Sequence, residues 1–396
     1  MTRKKNQHGN LADAPMIAVT LIGDGGIALW GMTPKARLIR ALAKSKRPAV
    51  YAEQPPAGAA AALLRADWYL EPRVLNAILD NPGVIVTARS QAGEAVIAAH
   101  APAGAVADVR QLVAAGGLGG ASIPAGMRVV TVDDICGAYN KALRKAEPPL
   151  VASMREHSER AIEWAMYRAA YKGVTDIVTK YVWPIPAFWV TLAASKLKLT
   201  PNMVTSVGLL LVLLTQWLFW RGDFWPGLLA AYLMVFLDTV DGKLARVTLT
   251  SSKLGNIFDH GIDLIHPPFW WWAWWMGLQA TGYAEGSLMA AYGAPALAVI
   301  LIGYVVGRVA EAIFMHSFGF HIHVWRRLDS VMREITSRRN PNMVILTVSL
   351  LFGRPDLGFL AVAVWTLICV PFHIVRLLQA GAERLMGRPI RSWLSE

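Results

Sequence analysis

Between residues 200 and 380 the chain holds long apolar runs, among them Val207–Trp220 and Ala361–Phe372. Such runs leave few folds open, because about 20 apolar residues of helix cross a bilayer and few soluble domains hide several of them. Composition agrees: the hydrophobic fraction is 55% and only 17% of residues are charged, against roughly 25% in ordinary soluble domains. Residues 1–150 differ, being rich in Ala, Gly and Val with scattered charge. The pattern predicts an α-helical membrane protein preceded by a soluble α/β domain.

The apolar segments read as six transmembrane helices, at 202–220, 225–246, 253–279, 287–315, 340–353 and 357–377. Basic residues cluster at alternate connections: Lys243, Arg246 and Lys253, then Arg326, Arg327, Arg333, Arg338 and Arg339, then Arg376, Arg384, Arg388 and Arg391. The other side carries little beyond Arg221 and Arg354. The positive-inside rule then puts both termini and the connection between the second and third spans in the cytoplasm. A multi-pass protein of the cell inner (cytoplasmic) membrane is expected, and the net charge of +12 is read as membrane-flanking charge, not as a nucleic-acid surface. The basic stretch Met1–His8 precedes no long apolar run of a signal peptide, so the head is expected to stay cytoplasmic. Two cysteines, Cys136 and Cys369, make no disulfide framework.

In the head, strands are expected at Ile17–Ile22, Ala49–Tyr51, Gly83–Thr87, Ala95–Ala98 and Val129–Val132. Helices are expected at Thr33–Lys44, Ala59–Ala66, Pro72–Leu79, Ala107–Ala114 and Asp133–Lys145. This alternation argues for a Rossmann-like α/β unit. The domain boundaries read as 1–148 for the head, 153–200 for a juxtamembrane segment, 201–385 for the membrane body and 386–396 for a cytoplasmic tail. Within the second, residues 153–181 alternate charge with Trp164, Met166, Tyr167 and Tyr171, a pattern suited to lying on a membrane surface. The tryptophans at 270–272, 274 and 275 read as an aromatic belt at the far interface, and Pro267-Pro268 as a kink.

The second and third spans hold Asp238, Asp241, Asp259 and Asp263. On helices the first two share a face at i,i+3 and the last two at i,i+4. Four carboxylates near hydrocarbon repel one another and are costly to bury. Hard divalent cations resolve that conflict, and all-oxygen ligands favour Mg²⁺ or Mn²⁺ over zinc, with room for two ions. Interhelical salt bridges fail as an explanation, since Lys243 and Arg246 are too few for four acids. A membrane ion relay would not need the small residues Gly242, Ala245 and Gly255 at their spacings.

The run D-x-x-D-G-x-x-A-R-x8-G-x-x-x-D-x-x-x-D, from Asp238 to Asp263, resembles the signature of the CDP-alcohol phosphotransferase family, and the likeness covers roughly residues 153–385. The resemblance implies six transmembrane helices and a metal-dependent transfer of a substituted phosphate from a CDP-linked donor, either CDP-diacylglycerol or a polar CDP-alcohol, to an alcohol or lipid hydroxyl, with release of CMP, in phospholipid biosynthesis. It implies Asp238, Asp241, Asp259 and Asp263 as metal ligands, with Asp263 also the general base. It implies Gly242, Ala245, Arg246 and Gly255 around the CDP, joined by Asn202 and Thr205 from the start of the first span. Arg338 and Arg339 are candidates for an acceptor phosphate or are simple flanking charge. Arg308 and Glu311 pair with each other or line a polar cavity, while His316, His321 and His323 read as loop residues. Partners beyond donor, acceptor and membrane lipids are limited to a homodimer.

The head resembles a nucleotidyltransferase-like domain, through a strand, the Gly-rich turn at Gly23–Gly26, Thr33-Pro34-Lys35, and Asp67 at a strand end. Asp24 and Ala28 stand where that family keeps a glycine and a phosphate-binding arginine. These departures imply a degenerate head; the alternative is a bifunctional cytidylyltransferase and inositol-phosphate-type phosphotransferase with an active head.

Overall fold

The computed structural model describes residues 16–120, 122–285 and 288–395, so the basic N-terminal stretch lies outside it. These residues form two compact units. One comprises the chain up to Asn140, Glu147–Ala170 and Val247–Leu249; the other comprises Lys141–Ala146, Tyr171–Arg246 and the chain from Thr250 onward.

In the first unit, β1 (Ile17–Ile22) leads through the Gly-rich turn to α1 (Pro34–Leu42). Thr33 caps that helix, accepting from the Ala36 N–H at 3.2 Å, and Pro34 supplies a preset first-turn φ. There follow β2 (Ala49–Tyr51), β3 (Ala61–Arg65), β4 (Trp68–Leu70), α2 (Pro72–Asp80), β5 (Val84–Ser90), β6 (Gly93–Ala101), α3 (Val106–Ala115), β7 (Arg128–Thr131) and α4 (Val132–Ile135). The main sheet runs β2-β1-β3-β6-β5-β7. It is mixed: β1 pairs in parallel with β2 and β3, β5 pairs in parallel with β7, and β6 is antiparallel to both neighbours.

Two expected helices are corrected. Within residues 59–66 the chain forms strand β3, not a helix, because Ala61–Leu64 are all buried at the middle of the sheet, where burial on both faces overrides the helix propensity of alanine. The helix expected over Asp133–Lys145 ends at Ile135: the Thr131–Asp134 capping box starts it, but Gly137 follows within a turn. The amphipathic stretch is also divided. Its first part, α5 (Glu159–Ala169), belongs to this unit: Ile162, Met166 and Tyr167 are buried, and the Trp30 N–H donates to Glu163 Oε1 at 2.8 Å. The face that suggested a membrane surface instead covers protein.

The second unit is helical. It contains α6 (Pro184–Lys196), α7 (Pro201–Arg221), α8 (Phe224–Val247, to Arg246), α9 (Lys253–Ala280), α10 (Leu288–Phe318), α11 (Arg327–Ile335), α12 (Arg339–Leu351) and α13 (Pro355–Leu385). Among the described residues, three helices, α7, α10 and α13, are long and apolar enough to cross a membrane. Helices α8 and α9 are long but carry the acids, and α12 has only 13 residues.

The expected aromatic belt is corrected too. Trp270, Trp271 and Trp274 are fully buried and form the core with Phe219, Phe224 and Leu228. Trp270 Nε1 donates to the Val212 carbonyl at 3.1 Å, which joins α9 to α7. Pro267 and Pro268 sit inside α9 and have no N–H, so the carbonyls of Asp263 and Leu264 lose their helical donors. Tyr304 of α10 supplies one replacement, its hydroxyl donating to the Leu264 carbonyl at 2.8 Å.

Gly26 packs against the Ala66 carbonyl and the Pro34 ring so tightly that a Cβ has no room. Gly26→Ala is expected to destabilise the first unit by about 1–3 kcal/mol, the usual cost of overpacking. Faster thiol labelling at Cys136, which is buried in that unit's core, measures the loss.

Candidate active site

Helices α8 and α9 bring the acids together. Carboxylate oxygens of Asp238, Asp241 and Asp259 lie within 4.8 Å of one another. Asp263 stands outside this trio. Arg339, the first residue of α12, donates through Nη1 to Asp263 Oδ1 at 2.6 Å and through Nη2 to Asp238 Oδ2 at 2.6 Å. Asp241 is buried; Thr205 Oγ1 donates to its Oδ2 at 2.6 Å, and its Oδ1 has no hydrogen-bond partner. A buried anionic oxygen without a donor is expensive. One orphaned oxygen among three converging carboxylates suits a hard cation.

All four acids line one cavity of about 260 Å³, together with Asn202, Thr205, Gly242, Ala245, Arg246 and Gly255. Thr200 caps α7 by accepting from the Met203 N–H at 3.2 Å, and Pro201 starts the helix. That start aims Asn202 at α9: a Cβ on Gly255 would meet Asn202 Oδ1 at 2.7 Å, so a larger residue there would push the Asn202 amide away. The Arg246 guanidinium lies beside Gly242, within 3.2 Å of where a Cβ would stand.

The two acceptor-side arginines part company. Arg339 lines the acid cavity and an adjoining one of about 140 Å³, whereas Arg338 lines only the smaller, with Arg308 and Arg333. Arg338 is ion-paired to Glu311, and Arg308 Nη1 stands 3.3 Å from the same carboxylate. Arg308 therefore both pairs with Glu311 and lines a polar cavity. His323 is a buried member of this network instead of a loop residue, its Nε2 3.3 Å from Glu311.

Several cavity residues were not singled out by the sequence. Lys172 and Arg144 line the acid cavity; burial, then Arg144 and Arg246, pulls the Lys172 ammonium down to about 8. Asn340 Nδ2 donates to Asp176 Oδ1 at 2.7 Å, and the Thr179 N–H donates to the same oxygen at 3.0 Å. Lys172 and Asp176 sit in a stretch where charge alternates throughout, and no spacing there distinguishes a cavity residue from a solvated one.

Comparison with known proteins places this geometry. Residues 198–366, less than half of the chain, match the model of the CDP-alcohol phosphatidyltransferase family. Cholinephosphotransferase 1 of Xenopus laevis is 42% identical over 94 residues, covering 21% of this chain and 23% of that protein. Choline/ethanolaminephosphotransferase 1 of Arabidopsis thaliana is 34% identical over 115 residues, 26% of this chain and 29% of that protein. Cholinephosphotransferase 1 of Homo sapiens is 28% identical over 144 residues, 34% and 33% respectively. The chain thus spans about a quarter to a third of the length of these relatives. The matches indicate an enzyme, a transferase of phosphate-containing groups. Within that class they support the CDP-alcohol phosphatidyltransferase family for the segment holding α7 to α12 and the first part of α13.

Thr205→Val keeps the shape at position 205 but removes the donor to Asp241. It is expected to weaken divalent-ion binding at the acids by about 10–100-fold, the usual cost of losing such a supporting bond. Calorimetric titration of the purified chain with Mn²⁺ measures this.

Proposed function

We propose that the chain is an integral-membrane CDP-alcohol phosphotransferase, transferring a substituted phosphate from a CDP-linked donor to an acceptor hydroxyl with release of CMP, in phospholipid biosynthesis. The observation that supports this best is the meeting of Asp238, Asp241 and Asp259 with Arg246, Gly242 and Gly255 in one cavity of the family-matched segment. In this reading α7, α8, α9, α10, α12 and α13 span the inner membrane, with the acids at its cytoplasmic side.

Divalent cations, Mg²⁺ or Mn²⁺, held by Asp238, Asp241 and Asp259 with Asp263 contributing, would offset the charge of the diphosphate and of the departing CMP. The protein's residues do the rest. Arg246 pairs with a donor phosphate. Gly242, Ala245 and Gly255 leave room for the nucleotide, and Asn202 and Thr205 shape the wall facing it. Asp263 accepts the proton of the acceptor hydroxyl, whose oxygen attacks the β-phosphorus as the bond to the CMP oxygen breaks. Arg339 orients Asp263 and Asp238 against each other, and Arg338 and Arg339, which both line the adjoining cavity, are the candidates for an acceptor phosphate.

The names of the relatives, which speak of choline- and ethanolaminephosphotransferases, favour a polar CDP-alcohol as donor, and a lipid is then the acceptor we infer. An apolar groove of about 510 Å³ between α7 and α9, lined by Leu209, Leu213, Ile257, Ile265 and Phe269, suits an acyl chain. For the head we infer a degenerate nucleotidyltransferase without activity: Asp67, at the strand end where a metal ligand is expected, is held by Arg65 at 2.6 Å and Arg155 at 2.6 Å.

In nanodiscs with Mn²⁺, the chain should release CMP from one of CDP-choline, CDP-ethanolamine or CDP-inositol when given diacylglycerol. Asp263→Asn should lower that rate by at least about 100-fold while CDP still binds; an unchanged rate rules out Asp263 as the base. The full chain should release no pyrophosphate from CTP and a phosphorylated alcohol, and release there would restore the head to activity.

A further inference from the structure

A second convergence of ligand-type side chains lies in the helical unit, on residues the transfer reaction does not use. Glu311 comes from α10, His323 from the short turn Ile322–Val324, and His373 from α13. One ligand atom of each lies within 4.8 Å of the other two. Both histidines are nearly inaccessible, at 2% for His323 and 4% for His373. The Nε2 of His373 is buried and has no hydrogen-bond partner. An imidazole nitrogen left so is destabilising.

Arg338 shows what this space accepts. Its guanidinium, which can only donate, pairs with Glu311 and reaches Nε2 of His323 at 3.0 Å. In the tautomer that accepts from Arg338, that nitrogen presents a lone pair. The chain thus aims a carboxylate and an imidazole lone pair at a positive group, beside an unused imidazole nitrogen.

We propose that Glu311, His323 and His373 form a binding site for a first-row divalent cation of the zinc class, for which Arg338 competes. Two imidazoles and one carboxylate are a zinc donor set, unlike the all-carboxylate cluster of Asp238, Asp241 and Asp259, which suits a harder ion. Zinc holds such ligands at roughly 2.0–2.2 Å, so the three atoms need draw together by only about an ångström. An ion there ties α10, the Ile322–Val324 turn and α13 together and keeps one coordination position open. It also displaces Arg338 from Glu311, towards the adjoining cavity that Arg338 already lines.

The test uses the full chain, tag removed, purified in detergent with a chelator and then titrated with Zn²⁺ in the presence of excess Mg²⁺. Bound zinc is measured by mass spectrometry, and Co²⁺ replaces it for absorption spectra. A single zinc per chain is expected, with a Co²⁺ spectrum of nitrogen and oxygen ligation. His323→Ala and His373→Ala should each weaken binding by at least about tenfold, and Asp241→Asn should leave it unchanged. Arg338→Gln should bind zinc more tightly than the unaltered chain, a result that mere misfolding cannot produce. The proposal is overturned if the unaltered chain binds no zinc, if His373→Ala binds it as well, or if Arg338→Gln gains nothing.

Discussion

The helical unit depends on Arg339 bridging Asp238 and Asp263. Carboxylates on two packed helices repel each other, and burial amplifies the repulsion. A guanidinium presents its donors in a fixed fork and can serve two carboxylates at once, which an ammonium does poorly. Its neighbours extend the arrangement. Arg338 reaches Glu311 of α10, Asn340 reaches Asp176, and Asn342 accepts from Ser337. Successive residues at the start of α12 thus fasten α8, α9, α10 and the segment before α6. The shortness of α12 is compatible with its importance, since what it contributes is concentrated in its first turn.

Much of this was legible in the sequence. The four acids and their small neighbours stand at fixed spacings on two helices, and such local geometry survives folding. The cation that answers them was harder to see. Arg339 lies 76 positions from Asp263 and sits in a cluster of basic residues that the positive-inside rule already explains. Lys172 was hidden in the same way, by a stretch in which Arg168, Lys172, Asp176 and Lys180 recur at every fourth position like the charges of any solvated helix face. Where one physical rule accounts for a residue's presence, the sequence offers no sign that it also serves another.

The misread segments follow one principle. Ala61–Leu64 have the composition of a helix, and the tryptophans from Trp270 that of an interface, yet both are buried in cores. Composition reports what a side chain tolerates, whereas tertiary burial decides where it goes. The α5 face shows the reverse case, an amphipathic pattern that is real but covered by protein. In the head, Asp67 carries the same lesson into chemistry: a carboxylate at an expected strand end is engaged by two arginines.

The paired prolines of α9 divide that helix mechanically. Its first half carries Asp259 and Asp263, and its second half is anchored in the core through Trp270, Trp271 and Trp274. With two successive rungs missing from its backbone ladder, and one of the freed carbonyls held sideways by Tyr304, α9 behaves as two struts meeting at a joint. Missing backbone hydrogen bonds make that stretch the least stiff part of the helix. That stretch separates the acid-bearing half of α9 from the seam its rear half makes with α7 through Trp270.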